Sequence, residues 1–474
     1  MKEEREFDVA VIGAGPGGYV AAIRAAQSGK KTALIEKEPV FGGTCLNVGC
    51  IPSKTLISCA RTLERCGHAE EYGVTISPPS FSYVAMQKRK KRVVEGIRSS
   101  LSRLIESNDI AVFRGTASFT EIDTVRVRGG EKEDDSFLLR AKKSIIATGS
   151  SPLDIPLFPC DGKRILDSTA LLERTALPES IVIIGGGYIG CEFASLFATL
   201  GVEVTLVEAL PSIIRTQGKG VSDHLTQAFL KKGITLKTGV AVTGIEEGPR
   251  GVRLLLANGE AVEGEIAAVA VGRTRRLEGL GLERIGLPFT PGGAPDGGIR
   301  VDERCMTEIP GIYAVGDVTQ GPMLAHVASH QGYVAASHAT GRPGRFSERA
   351  IPAVIFTDPE VAVVGFTPEE AEKGGRHISV GTYPFRALGK SIATGETEGF
   401  SQIVSDKETG EILGAQVVGH EASILISELT LAINNELTLD CLIDTIHAHP
   451  TVAEGWHEAA LLATGFPLHF PKRT

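Results

Sequence analysis

The sequence has no apolar run approaching the roughly 20 residues that a membrane-spanning helix needs. Its N-terminus, Met1-Lys2-Glu3-Glu4-Arg5-Glu6, lacks the apolar stretch and small-residue cleavage site of a secretory leader. These absences predict a cytoplasmic protein with no membrane partner. Excess positive charge is also missing: 49 Lys and Arg stand against 57 Asp and Glu, a formal net charge of −8, so no general attraction to nucleic acid or anionic lipid is expected. Cysteine is sparse, and Cys59, Cys66, Cys160, Cys191, Cys305 and Cys441 follow no pattern. Scattered cysteines in a reducing compartment are mostly small buried hydrophobes, which excludes a disulfide framework. Only Cys45 and Cys50 call for another explanation.

What is present points to several domains. A chain of 474 residues outgrows one hydrophobic core and suggests roughly three. A strand, glycine turn, helix and strand pattern occurs twice. The first copy runs from Phe7-Asp8-Val9-Ala10-Val11-Ile12 through Gly13-Ala14-Gly15-Pro16-Gly17-Gly18 to Thr32-Ala33-Leu34-Ile35-Glu36. The second runs from Ile181-Val182-Ile183-Ile184 through Gly185-Gly186-Gly187-Tyr188-Ile189-Gly190 to Glu203-Val204-Thr205-Leu206-Val207-Glu208. In such a unit the glycines let the backbone approach a pyrophosphate, the helix N-terminus offers free N–H groups, and an acidic residue ending the second strand binds ribose hydroxyls. Glu36 and Glu208 lie 23 residues after Gly13 and Gly185 respectively. One such turn alone can be a tight turn without a ligand; two with identical spacing imply two dinucleotides. The Glu208 carboxylate would repel a 2′-phosphate and no arginine adjoins it, which favours NAD over NADP.

Composition sets the boundaries. The Ser- and Pro-rich Ser150 to Pro159 reads as a crossing between domains, with Ile165 to Pro178 leading into the second unit. The expected divisions are 1–150, 151–275, a central segment 276–350, and a C-terminal α+β domain 351–474.

Gly42-Gly43-Thr44-Cys45-Leu46-Asn47-Val48-Gly49-Cys50-Ile51-Pro52-Ser53-Lys54 is the most specific segment. Five residues of regular helix turn the second side chain about 140° from the first, so a bridge needs a distorted turn. Gly49 and Pro52 are expected to supply it, the proline by clashing with the Val48 carbonyl. A static buried disulfide is the alternative to a redox pair, and a solvated charge the alternative for Lys54. Near the C-terminus, His449 with Glu454 can form an imidazole–carboxylate pair able to take a thiol proton near neutral pH. The alternatives there are a satisfied core histidine or a metal site from His447, His449 and Glu454. No further Cys/His cluster completes a zinc-type ligand set, and no metal is expected.

With these segments in view, the chain resembles the pyridine nucleotide-disulfide oxidoreductases, and within them the branch that oxidises dihydrolipoamide. The resemblance spans nearly the whole chain. It includes Ala147-Thr148-Gly149-Ser150, Ala270-Val271-Gly272-Arg273, Gly311-Ile312-Tyr313-Ala314-Val315-Gly316-Asp317, Met323-Leu324-Ala325-His326 and Thr445-Ile446-His447-Ala448-His449-Pro450-Thr451-Val452-Ala453-Glu454. It implies an α/β fold class: two Rossmann-like dinucleotide-binding domains, for FAD and NAD, plus a C-terminal α+β dimerisation domain.

For FAD the resemblance implies Gly13, Gly15 and Gly18, with Glu36 on the adenosine ribose and Lys37 beside it. Gly43, Thr44 and Lys54 join from the cysteine segment, and Ala117, Thr148, Gly149 and Ser150 from the rest of the first unit. Asp317 serves the ribityl and phosphate region, and Met323, Leu324, Ala325 and His326 line the isoalloxazine. For NAD it implies Gly185, Gly187, Tyr188, Ile189, Gly190, Glu208, Val242, Ala270 and Gly272. The implied catalytic set is Cys45 and Cys50 as redox pair, Lys54 beside the flavin with Glu192 as its carboxylate partner, and His449 with Glu454 as thiol base. In this family the base reaches the cysteines of the other subunit, which implies a homodimer with a shared site. The implied partners are lipoyl domains of 2-oxoacid dehydrogenase or glycine cleavage complexes, since no lipoyl domain lies in this chain.

Related reductases acting on glutathione disulfide or mercuric ion share the plan. Glu208 counts against the first, and the cysteine-free Pro467 to Thr474 against the second. A non-catalytic component of a multienzyme complex would not need Cys45, Cys50, Lys54, His449 and Glu454 intact. Two departures from the family pattern are Leu388-Gly389-Lys390-Ser391 and His330.

Overall fold

The computed structural model describes residues 4–77, 79–129, 136–249, 251–293 and 296–471, so Met1 to Glu3 and Lys472 to Thr474 of the two terminal segments lie outside the described residues. The strand Glu4–Ile12 sits in the middle of the first sheet, parallel to Thr32–Glu36 on one side and to Ser136–Ile146 on the other. All five residues of Thr32–Glu36 are buried, the mark of a parallel strand covered on both faces. Ala111–Arg114 extends the sheet beyond Thr32–Glu36, while Thr124–Arg128 and Thr116–Glu121 extend it antiparallel beyond Ser136–Ile146.

The chain returns to this unit after residue 276. Ile312–Ala314 pairs parallel with Ser136–Ile146, and the helix Ala325–Ala339 lies on the helix Pro16–Gln27. Glycine permits that crossing: a Cβ on Gly332 would stand 2.2 Å from the Gly17 carbonyl oxygen.

The second sheet is wholly parallel, in the order Thr235–Thr238, Glu203–Glu208, Ser180–Ile184, Ile266–Val269, Ile165–Asp167. Ile165–Asp167 is thus its edge strand as well as part of the lead-in, because its partner comes a hundred residues later. Ser150–Pro152 pairs antiparallel with Arg273–Arg275, so the chain enters and leaves the second unit side by side.

The C-terminal sheet is antiparallel, ordered Ala353–Ile355, Val361–Gly365, Ile412–Gly419, Gly399–Asp406, Ile378–Pro384. Its covering helices are Ala422–Asn434 and Glu454–Thr464. Trp456, fully buried, donates from Nε1 to the Leu425 carbonyl at 3.1 Å and fixes the start of the second helix against the first. Among the described residues no helix is long and apolar enough to cross a membrane.

Candidate active site

The two cysteines stand on either side of a helix break. A short helix, Gly43–Val48, carries Cys45; the chain turns at Gly49; and a new helix, Cys50–Gly67, begins with the second cysteine. The break is at Gly49 alone. Pro52 occupies the first turn of the new helix, where an amide hydrogen has no helical acceptor, and the helix takes up its bonding pattern at Ser53 N to Gly49 O, 3.1 Å. A Cβ on Gly49 would lie 3.0 Å from the Thr44 carbonyl oxygen, which explains glycine there.

Both cysteines are free and partly buried, and their side chains are close enough to shift each other's titration in opposite directions. Hydrogen bonding from the Cys45 side chain is the main influence lowering the Cys50 thiol, to about 7; burial opposes it, and the Lys54 ammonium assists. Cys45 is pushed far above the ordinary thiol range by the same hydrogen bond and by burial. Lys54, one turn along from Cys50, is held in a fork: its Nζ donates to both Glu192 oxygens, at 2.9 and 2.7 Å. Glu192 also accepts from the Phe356 N–H at 3.0 Å, so one carboxylate joins the cysteine helix, the second unit and the C-terminal domain. Farther along the same helix, Arg61 pairs with Glu360 at 2.6 Å, and Glu64 and Asp358 share Lys232.

The two glycine loops share the geometry of their first and last glycines. Gly13 and Gly185 have φ of 101° and 108°, and a Cβ on either would lie 2.4 or 2.5 Å from the carbonyl oxygen of Ala147 or Ala270. On Gly18 or Gly190 a Cβ would meet the first glycine's carbonyl oxygen at 1.9 Å. Glu36 accepts from Ala14 N at 2.7 Å and Glu38 N at 2.9 Å; Glu208 accepts from Gly186 N at 2.6 Å and Leu210 N at 2.7 Å. Each carboxylate therefore braces its own loop and still has lone pairs for a ribose hydroxyl.

The middle glycines behave differently. A Cβ on Gly187 would meet no atom within 4 Å, and one on Gly15 would meet its nearest neighbour at 3.9 Å; neither residue has a positive φ. The protein itself has no steric need for glycine at these two positions, which leaves the backbone there open to close approach. This fits a dinucleotide at each loop.

The other residues singled out in the first unit and the central segment are placed as follows. Gly43 touches Gly15 closely enough that a Cβ would lie 2.6 Å from its Cα. Ser150 Oγ donates to Asp317 at 2.5 Å, and the Thr148 hydroxyl donates to the Arg276 carbonyl at 2.7 Å, next to Gly149. Ala117 is buried in the sheet, Lys37 is exposed just past Glu36, and Met323 and Leu324 lead into the helix that opens at Ala325. His326 donates from Nε2 to the Pro352 carbonyl at 2.8 Å. Around the second loop, Tyr188 and Ile189 start the helix, the Tyr188 hydroxyl accepts from Gln217 at 2.7 Å, Val242 opens a neighbouring strand, and Gly272 has a φ of 128°.

In the sequence Arg273 is only the end of a motif. The structure gives it more: Nε donates to Ser150 Oγ at 2.7 Å and Nη2 to the Ser150 carbonyl at 3.0 Å, beside Asp317. It joins the crossing strands to the first nucleotide site. Its only sequence signal is a fixed place after Gly272; its partners Ser150 and Thr44 lie over a hundred residues away.

At the C-terminal end, His449 bonds through Nδ1 to Glu454 Oε1 at 2.8 Å, and Glu454 Oε2 accepts from Thr451 N at 2.8 Å. Burial pushes the Glu454 carboxyl upward, but the bonds from His449 and Thr451 outweigh it and hold the group below its usual value. The His449–Pro450 peptide is cis. The His449 side chain is 76% exposed, leaving Nε2 open to solvent. His447 bonds elsewhere, to Glu428. The structure brings Lys54 to Glu192 and His449 to Glu454, with no hydrogen bond between these two groups within the chain among the described residues.

Residues 7–332 match the family described as pyridine nucleotide-disulphide oxidoreductase, and residues 351–460 match that family's dimerisation domain. The chain is 48% identical to a dihydrolipoyl dehydrogenase of Chlamydia pneumoniae, over 99% of this chain and all of the relative. It is 42% identical to a dihydrolipoyl dehydrogenase of Geobacillus stearothermophilus, over 98% of this chain and 97% of the relative. Among solved structures, LpdA from Mycobacterium tuberculosis superimposes with a TM-score of 0.88 at 28% identity, covering 96% of this chain and 99% of that one. The flavoprotein disulfide reductase RclA from Escherichia coli, solved as a Cu(II) complex, gives 0.85 at 27% identity, covering 97% and 99%.

Proposed function

The chain belongs to the pyridine nucleotide-disulphide oxidoreductases, and we propose that it oxidises dihydrolipoamide to lipoamide, with NAD⁺ reduced to NADH. FAD and NAD(H) are the cofactors of this enzyme class, and the two middle glycines fit them. The observation that carries the reading is the free Cys45–Cys50 pair flanking the Gly49 helix break, on a segment whose Gly43 abuts Gly15 of the first loop. The full-length likeness to dihydrolipoyl dehydrogenases supports the choice of substrate.

In this reading His449, oriented by Glu454, removes a proton from one substrate thiol. The thiolate attacks Cys45 of the Cys45–Cys50 disulfide; the S–S bond breaks and Cys50 departs with the electron pair. The second substrate thiol, losing its proton to solvent through His449, attacks the substrate sulfur bound to Cys45. Lipoamide leaves, and Cys45 is released and reprotonated. Lys54, steadied by Glu192, holds the negative charge on Cys50. FAD, held at the first loop, would supply two-electron chemistry: the Cys45–Cys50 disulfide re-forms with loss of the Cys45 proton, and the electron pair with a proton would pass on as a hydride to NAD⁺. Glu36 and Glu208 hold ribose hydroxyls, and Arg273 and Ser150 keep Asp317 in place for the FAD chain.

The assembly proposed is a cytoplasmic homodimer in which the exposed His449 of one subunit serves the cysteines of the other, with lipoyl domains of 2-oxoacid dehydrogenase or glycine cleavage complexes as partners. The matched dimerisation domain and the open Nε2 of His449 support it.

The test divides the reaction in two. His449→Gln should fold, hold FAD and pass electrons from NADH to ferricyanide at the wild-type rate, while dihydrolipoamide turnover falls about 10²–10⁴-fold. Glu454→Gln should lose less, because the imidazole remains. Near-normal dihydrolipoamide turnover by His449→Gln from pH 6 to 9 would falsify its role as base.

A further inference from the structure

We propose that His447 is a positioning residue for His449, a ring bonded at both nitrogens that pins the loop on which the base is carried. The loop 444–450 is otherwise open to solvent. Ile446 is 97% exposed and the His449 side chain 76%, yet the His447 side chain between them is only 8% exposed. It is the loop's one inward anchor among residues 444–450.

Both nitrogens of that ring face acceptors. Nδ1 lies 3.0 Å from the Thr445 carbonyl oxygen and Nε2 lies 2.9 Å from Glu428 Oε1. The ring is therefore bonded on both sides, to its own loop through Nδ1 and to a neighbouring helix through Nε2. The bond to Glu428 is part-buried, with the ring side nearly closed to water. Glu428 belongs to the helix Ala422–Asn434, while the His447 ring packs at 5.8 Å on His457 of the helix Glu454–Thr464. The loop is thus held to two helices at once, and one of them begins with Glu454, the partner of the base. Two peptide units separate His447 from His449, so a shift of the anchor moves the base relative to Glu454. Misplacement by about 1 Å can cost a reaction of this kind about 10²-fold. The His447 side chain itself is turned away from solvent.

The inference rests on His449 being the thiol base, and the experiment separates the two. Full-length FAD-loaded wild type, His447→Leu, His447→Gln, His447→Asn, His449→Gln and the double variant His447→Leu/His449→Gln are compared. His447→Leu should lower kcat with dihydrolipoamide by about 10- to 100-fold with KM changed by no more than about twofold. NADH-to-ferricyanide transfer should be unchanged. His447→Gln, which can still reach Glu428, should recover part of the loss; His447→Asn, too short to do so, should recover less. The double variant should be no slower than His449→Gln alone, because an anchor has nothing to act through once the base is gone.

A wild-type rate in His447→Leu would overturn the proposal. So would a loss that multiplies with that of His449→Gln, or glutamine and asparagine variants of equal rate. If leucine prevents folding, the glutamine and asparagine pair still decides the matter. If His449→Gln keeps its turnover, it is the base assignment that fails instead.

Discussion

At Cys50 the chemistry turns on the position of one proton. The Cys45 thiol gives it a hydrogen bond, Lys54 a positive charge, and the balance leaves a thiolate above about pH 7. Below that pH the sulfur is protonated, so delivery of electrons out of the reduced pair should slow as pH falls through about 7. Cys45→Ala removes the largest favourable contribution while burial stays. The pKa of Cys50 in the reduced protein should therefore move up from about 7 toward the ordinary 9.0, measured by thiolate absorbance or alkylation rate against pH. An unchanged pKa would assign the lowering to Lys54 instead. Individual residues are legible in sequence where a short motif fixes their chemistry: Cys45, Cys50 and Lys54 sit in one thirteen-residue stretch, and His449 and Glu454 in another. Arg273 and Glu428 are not legible as site residues. Their partners Ser150 and His447 come from other parts of the chain, and no local pattern announces such bonds.

Among the elements, the two strand–loop–helix units carry an internal control, because their glycines answer to different demands. Gly190 lies against the Gly185 carbonyl and is required by the fold, whereas Gly187 has free space around it. Gly190→Ala should destabilise the protein by roughly 1–3 kcal/mol, seen as a lower midpoint in denaturant unfolding. Gly187→Ala should hold its stability within about 1 kcal/mol and yet bind NADH at least about tenfold more weakly by titration. Equal NADH affinity in Gly187→Ala would place the pyrophosphate elsewhere. The duplication is readable because spacing alone preserves it. The helix break is only half readable: a disruption between Cys45 and Cys50 follows from their offset, but Pro52 proves harmless where it stands, in a first turn. Short strands such as Ile165–Asp167 and Ser150–Pro152 leave no mark in the sequence because pairing with distant segments, not local pattern, makes them strands.

For the whole molecule, the cysteine helix Cys50–Gly67 is the common member: Lys54, Arg61 and Glu64 tie it to the second unit and to the C-terminal domain. His449 lies exposed on that last domain, and if it serves as the base in a homodimer with a shared site, neither a Cys45→Ser nor a His449→Gln subunit can work with its own kind. Mixing the two, after subunit exchange has been demonstrated, should restore activity, since one junction of the mixed dimer joins an intact cysteine pair to an intact histidine. No recovery would put both groups in one chain's site. Oligomeric arrangement is beyond composition and periodicity, and comes into view only through resemblance and the matched dimerisation domain. The most direct measurement is a steady-state assay of the FAD-loaded protein with free dihydrolipoamide and NAD⁺, set beside dihydrolipoamide with NADP⁺ and glutathione disulfide with NADPH. Rapid NADH formation in the first, slower by at least about tenfold with NADP⁺ because Glu208 meets the 2′-phosphate, and no turnover in the third are expected. Turnover of glutathione disulfide with NADPH, without oxidation of dihydrolipoamide by NAD⁺, would contradict the assignment.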